Sequence, residues 1–142
     1  MRYLGLDLGT KTLGISISDT TKTIATALKT IRFKERDYDS LIEDLKNIIE
    51  EYNISKIVLG LPKNMNNTMG ERCDETIMFQ KKLIKELNIE VALQDERLTT
   101  VEATNYMLEA DISRKKRKNK IDSLAANIIL QTYLDKEKGG KL

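Results

Sequence analysis

The sequence predicts an α/β domain: a mixed five-stranded sheet, its first three strands antiparallel and the later ones parallel, flanked by helices. Two observations carry this. Apolar residues recur at period two through three successive N-terminal segments, and helical periodicity then interleaves with two further strands, giving the order β-β-β-α-β-α-β-α-α. Strands joined by helical crossovers run parallel to their neighbours, whereas short turns join antiparallel ones, so the sheet is mixed.

Tyr3 to Leu8 reads as the first strand, with Leu4, Leu6 and Leu8 on one face and Tyr3, Gly5 and Asp7 on the other. A tight turn at Gly9-Thr10-Lys11 leads into a second strand with Leu13, Ile15 and Ile17 on one face, and so short a connection implies a hairpin. A third strand falls between Thr23 and Phe33. Ser40 and Glu43 have the spacing of a capping box, and Leu41, Leu45, Ile48 and Tyr52 follow at helical intervals. "KIVLGLP", Lys56 to Pro62, is a continuous apolar run, the pattern of a central parallel strand covered on both faces. The polar loop Pro62 to Gly70 precedes a helix from Glu71 to Leu87, which turns Phe79, Leu83 and Leu87 inward. Ile89, Val91 and Leu93 alternate as the fifth strand. Thr99 and Glu102 suggest another capping box, opening a helix through about Ala110, and the last helix runs from roughly Asp122 to Asp135. "KEKGGKL" reads as a loose tail, with a single domain drawn at 1–138 and the tail end at 139–142.

Composition narrows the chemistry. With 142 residues, 40% hydrophobic and 32% charged, the chain suits one soluble globular domain. No apolar run approaches the roughly 18 residues of a membrane span, and "MRYLGLDLG" is too short and polar in its flanks for a signal peptide. A lone Cys73 forms no internal disulfide and no zinc cluster, so a reducing cytoplasm is the expected home. The absence of histidine removes Ser-His-Asp and Cys-His catalysis. A net charge of only +2 means that any nucleic-acid signal must be local.

The acids set the main question. Asp7 lies inside an apolar strand, where an ionised carboxylate is costly unless paired or bound to a metal. Asp95 and Glu96 follow the fifth strand directly. Asp122 leads a helical stripe continued by Ala126, Ile129 and Tyr133. Parallel neighbours would bring Asp7 and Glu96 out at the same sheet edge, where ligand sites of open α/β sheets lie. Carboxylates gathered there repel unless a cation sits among them, and an all-oxygen set suits Mg²⁺ or Mn²⁺. Each acid also has a structural reading. Asp122 could be an N-cap, Asp95 or Glu96 could pair with Arg97, and Asp7 could have a buried partner.

The stretches "LGLDLGTKTLGISISD", "VLGLPKNMNNTMGE", "DERLTTVEA" and "KNKIDSLAANIILQTYL" resemble, in family order and over nearly the whole chain, the YqgF/RuvX family. Its members are called Holliday junction resolvases or pre-16S rRNA nucleases. The resemblance implies a ribonuclease H-like fold and a metal-dependent nuclease, a hydrolase of phosphodiester bonds acting in DNA recombination or rRNA processing during ribosome biogenesis. It implies Asp7, Glu96 and Asp122 as catalytic metal ligands for Mg²⁺ or Mn²⁺. Related resolvases carry an acid at the end of the fourth strand, where this chain has Gly60-Leu61-Pro62, so Asp95 stands as a rival or fourth ligand.

"RKKRKNK", Arg114 to Lys120, has six basic residues in seven just before Asp122. Arg114, Lys115, Lys116, Arg117, Lys118 and Lys120 read as a phosphate clamp on a flexible loop, with Lys11, Lys63 and Arg97 added from strand ends, or as a solvated connection. At 5% aromatic residues there is no stacking platform, so backbone and shape would be read rather than bases. The expected partner is nucleic acid, branched DNA or precursor ribosomal RNA, handled by a monomer or homodimer away from membranes. Two other readings remain. "DLGTKTLG" also resembles the phosphate loop of actin, Hsp70 and sugar-kinase ATPases, although those need two lobes. The third is a nucleic-acid-binding domain without catalysis.

Overall fold

The computed structural model describes residues 1–62, 71–95 and 114–139, with the backbone course alone for 71–72, 114–123 and 138–139. Within them lie β1 (Arg2–Leu8), β2 (Thr12–Ser18), β3 (Ala25–Arg32), α1 (Ser40–Tyr52), β4 (Ile54–Leu61), α2 (Glu71–Leu87), β5 (Glu90–Asp95) and α3 (Arg114–Gly139). The strands form one sheet in the order β3-β2-β1-β4-β5. β1 is antiparallel to β2 and parallel to β4, and β4 is parallel to β5. The expected mixed sheet is therefore present, with β1 at its centre. The helix expected between Thr99 and Ala110 lies outside the described residues. No helix among the described residues is long and apolar enough to cross a membrane.

Alternation along the strands gives the sheet two unlike faces. On one, Leu4, Leu6, Leu13, Ile15, Ile57 and Leu59 meet Leu41, Leu45 and Ile48 of α1 and Phe79 and Leu83 of α2. On the other, α3 buries Ile129, Leu130 and Leu134 against Val58 and Ala25. Both α1 and α2 are followed by an asparagine in the left-handed region, Asn53 at φ 57° and Asn88 at φ 50°. The N–H of Asn53 bonds the carbonyl of Ile49, and that of Asn88 bonds the carbonyl of Ile84. Asparagine tolerates this conformation, so the chain reverses there straight into the next strand.

Three expectations need correction. Ser40 and Glu43 form no capping box: Asp39 holds the N-cap position without a side-chain cap bond, and the Ser40 hydroxyl donates to the Asp37 carbonyl at 2.8 Å. Ser40 is already helical, so its side chain cannot cap the turn that contains it. The final helix begins at Arg114 rather than near Asp122, so the basic run forms helix and not a loop. Arg and Lys are good helix formers, and charge spacing had concealed that propensity. The helix also runs to Gly139, so most of "KEKGGKL" belongs to it and is not a loose tail. Glu137 explains why, since the Tyr3 hydroxyl donates to it at 2.9 Å.

Candidate functional site

Asp7 stands one residue before the end of the central strand, half-buried, on the same face as Gly5, toward α3. Its neighbour on β2 is Gly14. On β4, Gly60 lies one step beyond the Leu6–Leu59 pair. Both flanking strands thus present glycine beside the acid, and neither fills the space with a side chain. The hairpin that follows is pinned at three points. Gly9 N–H donates to the Thr12 carbonyl at 2.7 Å, Phe33 N–H to the Lys11 carbonyl at 2.9 Å and Arg36 N–H to the Thr10 carbonyl at 2.8 Å. Lys11 is exposed at this turn, at the same end of the sheet as Asp7.

Asp95 ends β5 opposite Leu61. Pleat parity puts it on the face of Val91 and Leu93, toward α1 and α2, whereas the buried Gln94 is on the Asp7 face. Asp122 lies inside α3, roughly two turns from its start, so it is not the N-cap of that helix. The backbone of Arg114, Lys115, Lys116, Arg117, Lys118 and Lys120 forms the two turns before it. Lys63, Glu96 and Arg97 lie outside the described residues. Among the described residues no three acidic, cysteine or histidine side chains gather as a metal cluster.

The course of α3 relates these positions. At the far end of β1, the Tyr3 ring meets Tyr133 with centroids 6.2 Å apart, and the Tyr3 hydroxyl donates to Glu137. Two residues along, Gly5 faces Ala126 and Leu130. Ser16, paired with Gly5 on β2, donates its hydroxyl to the Ala126 carbonyl at 2.8 Å. Gln131 clamps β3, accepting from Ala25 N–H and donating to the Thr23 carbonyl, both at 2.9 Å. As β1 advances from Tyr3 to Gly5, its contacts on α3 step back from Tyr133 and Glu137 to Ala126. The helix therefore runs antiparallel to β1, descending toward the Asp7 end.

Sequence reasoning missed the residues that seat this helix. Ser16 and Ser18 alternate with Leu13, Ile15 and Ile17, the pattern of a strand with one solvated face, so the sequence carries no signal for their burial. At the far end, the Lys56 ammonium lies 3.0 Å from the Tyr133 hydroxyl, 3.2 Å from Glu90 and 3.4 Å from Glu137. Burial works against the charged lysine, but the bonds to Tyr133 and Glu90 outweigh it and raise its pKa above the ordinary value. Burial, reinforced by the bond to Glu137, likewise raises the Tyr3 phenol.

The family described as "RuvX: Holliday junction resolvase" matches residues 1–136. The chain belongs to this family. A relative from Clostridium botulinum, named "Putative pre-16S rRNA nuclease", is 50% identical over 135 residues, 95% of this chain and 97% of its own length. A relative of the same name from Oceanobacillus iheyensis is 48% identical over 137 residues, 96% of this chain and 100% of its own length. Among solved structures, Thermus thermophilus RuvC in complex with a Holliday junction substrate superposes with TM-score 0.62 at 12% identity, covering 98% of this chain and 96% of that one. The fowlpox virus resolvase with Holliday junction DNA gives TM-score 0.60 at 13% identity, covering 97% and 99%. At such identities the two structures establish the fold alone, and it is the ribonuclease H-like fold that the RuvX motifs implied.

Proposed function

We propose that this RuvX-family chain is a nuclease that hydrolyses phosphodiester bonds in structured nucleic acid, branched DNA or precursor ribosomal RNA, with Mg²⁺ or Mn²⁺ held by Asp7, Glu96 and Asp122. One observation carries the reading. Asp7 occupies the central strand between Gly14 and Gly60, and the helix that contains Asp122 descends toward it. Extending the contacts at Tyr3 and Gly5 by two more strand residues brings position 122 to the level of Asp7. An acid on a central strand, flanked by glycine on both neighbouring strands and facing the helix that carries a second acid, supports the reading of a cation site. Asp95 faces away by pleat parity, which favours Glu96 as the second ligand.

The donor set is all oxygen, the chemistry that Mg²⁺ and Mn²⁺ select. When bound, a divalent ion supplies a Lewis acid for the phosphoryl oxygen and an activated water near neutral pH. The chain's own residues do the rest. Lys11 and the basic turns of α3 hold the phosphate backbone, while Lys63 and Arg97 adjoin strand ends on the same edge in the sequence. With no histidine in the chain, protons pass to water, phosphate or a carboxylate. The ATPase reading is not favoured, because the full-length relatives are named as nucleases. A cytoplasmic location follows from the substrate class and the single cysteine.

The test is cleavage of a panel of four-way junctions, single-stranded ends and precursor 16S rRNA, with Mg²⁺ or Mn²⁺, by the wild type and Asp7→Asn. Divalent-dependent cleavage lost in Asp7→Asn is expected. Cleavage by the variant at the wild-type rate would remove Asp7 from the mechanism.

A further inference from the structure

Resting on that reading, we propose that Gly5 and Ser16 are positioning residues of the metal centre: the contact they make with α3 sets the separation between the Asp7 and Asp122 backbones. The contact is unusually close. A Cβ placed on Gly5 would overlap the Ser16 hydroxyl and come within 2.7 Å of Leu130 Cβ and 3.0 Å of the Ala126 carbonyl oxygen. Real Cβ atoms essentially never come as near as 2.7 Å and rarely as near as 3.0 Å, and the Leu130 Cβ and Ala126 carbonyl cannot swing aside as a flexible chain end would. The Ser16 hydroxyl is fully buried and spends its proton on the same Ala126 carbonyl at 2.8 Å.

The position of this contact gives it a role beyond packing. Asp7 is two strand residues from Gly5, about 6.6 Å along β1. Asp122 is four helix residues from Ala126, about 6 Å along α3. Both acids thus branch from one junction, at nearly equal distance and toward the same end of the sheet. A shift of the helix there passes to the acid pair almost undiminished, because strand and helix are each stiff over one turn or two residues. The Lys56–Tyr133–Glu137 network also holds α3, but from about three turns away from position 122, and there it governs tilt less directly.

The experiment compares Mn²⁺ affinity by calorimetry in the wild type, Asp7→Asn, Gly5→Ala, Ser16→Ala and Leu134→Ala, with melting temperature for each and cleavage kinetics alongside. Leu134 is buried under the C-terminal half of the same helix and has no such tie to either acid. The expected result is a roughly 10- to 100-fold weaker Mn²⁺ affinity in Gly5→Ala, the range for residues supporting metal ligands. Its kcat should fall while its KM for nucleic acid holds. Ser16→Ala should weaken Mn²⁺ in the same direction by less, and it decides the matter if Gly5→Ala does not fold. Leu134→Ala should lose melting temperature yet keep wild-type Mn²⁺ affinity. If Gly5→Ala and Ser16→Ala lose melting temperature but bind Mn²⁺ as the wild type does, or if Leu134→Ala weakens Mn²⁺ equally, the contact is packing only and the proposal fails. Asp7→Asn separates the two ideas. Wild-type Mn²⁺ affinity in that variant, or no Mn²⁺ binding by the wild type, overturns the proposed centre itself.

Discussion

The two faces of the sheet pack against helices with opposite materials. Toward α1 and α2 the strands present Leu4, Leu6, Leu13, Ile15, Ile57 and Leu59, answered by Leu41, Leu45, Phe79 and Leu83. Toward α3 they present Gly5, Ser16, Ser18 and Val58, answered by Ala125, Ala126, Ile129 and Leu130. Large side chains exclude the most water per residue, so the first face supplies more of the stability. Small ones allow backbone to approach backbone and leave polar groups to fix the register, so the second face supplies position. Asp7, the proposed metal ligand, is on the second face. Stability and placement are therefore assigned to opposite sides of one sheet, and substitutions should separate them.

The largest expected effect is on the α3 side. Asp7→Asn removes the charge of the proposed ligand at nearly constant volume. It should lower cleavage by roughly 10³-fold, the rate equivalent of about 4 kcal/mol of lost charge stabilisation, while the circular-dichroism spectrum stays that of the wild type. Leu6→Ala, one residue away but on the other face, should do the reverse. A fully buried leucine truncated to alanine costs about 2–5 kcal/mol, read by urea denaturation, and the molecules that remain folded should bind Mn²⁺ normally. Equal damage to stability from both changes would erase the division of labour.

Neutralising Lys115, Lys116, Arg117 and Lys118 probes the same helix without touching an acid. Affinity for nucleic acid should fall about equally across sequences, and each lost contact should flatten the slope of log affinity against log salt by roughly 0.7 to 0.9. An unaltered slope would mean that those two turns are a solvated helix end and that phosphate binds elsewhere.

The smallest effect concerns the far anchor of α3. Burial alone would raise the Glu137 pKa, but the Tyr3 hydroxyl and the Lys56 ammonium overcome it and hold the carboxyl below its ordinary 4.5. A carboxylate lowered in the folded state stabilises above its unfolded pKa and loses that contribution as pH falls through the folded value. The melting-temperature difference between wild type and Glu137→Gln should thus be largest above pH 4.5 and shrink as pH falls below it. Glu137 is partly exposed, so its lowered pKa should correspond to less than about 1 kcal/mol of stability. A difference that grows on acidification would contradict the assigned bonds.

Most of the sheet could be read from the sequence because its signals are local. The bounds of α2, Glu71–Leu87, agree with the sequence reading, which rests on the polar loop before it and on Phe79, Leu83 and Leu87 at helical spacing. Period-two alternation gave β1 and β2, and the apolar run gave β4. Asp7 was conspicuous because strands disfavour aspartate. What escaped was non-local. Ser16 finds its acceptor 110 residues away, and Gln131 its partners 106 and 108 residues away. Nothing in the neighbouring sequence distinguishes those residues from solvent-facing ones. The first two turns of α3 escaped for another reason: charge density reads as loop even where the residues favour helix.

The tie between Ser16 and Ala126 also orders events in time. Loop closure becomes entropically costlier as the intervening chain lengthens, so hairpin β1–β2 can form early whereas the docking of α3 spans almost everything made in between. During synthesis all five strands emerge before the first residue of α3 does. A chain still on the ribosome can therefore hold a nearly complete sheet before α3, which covers the Asp7 face, exists.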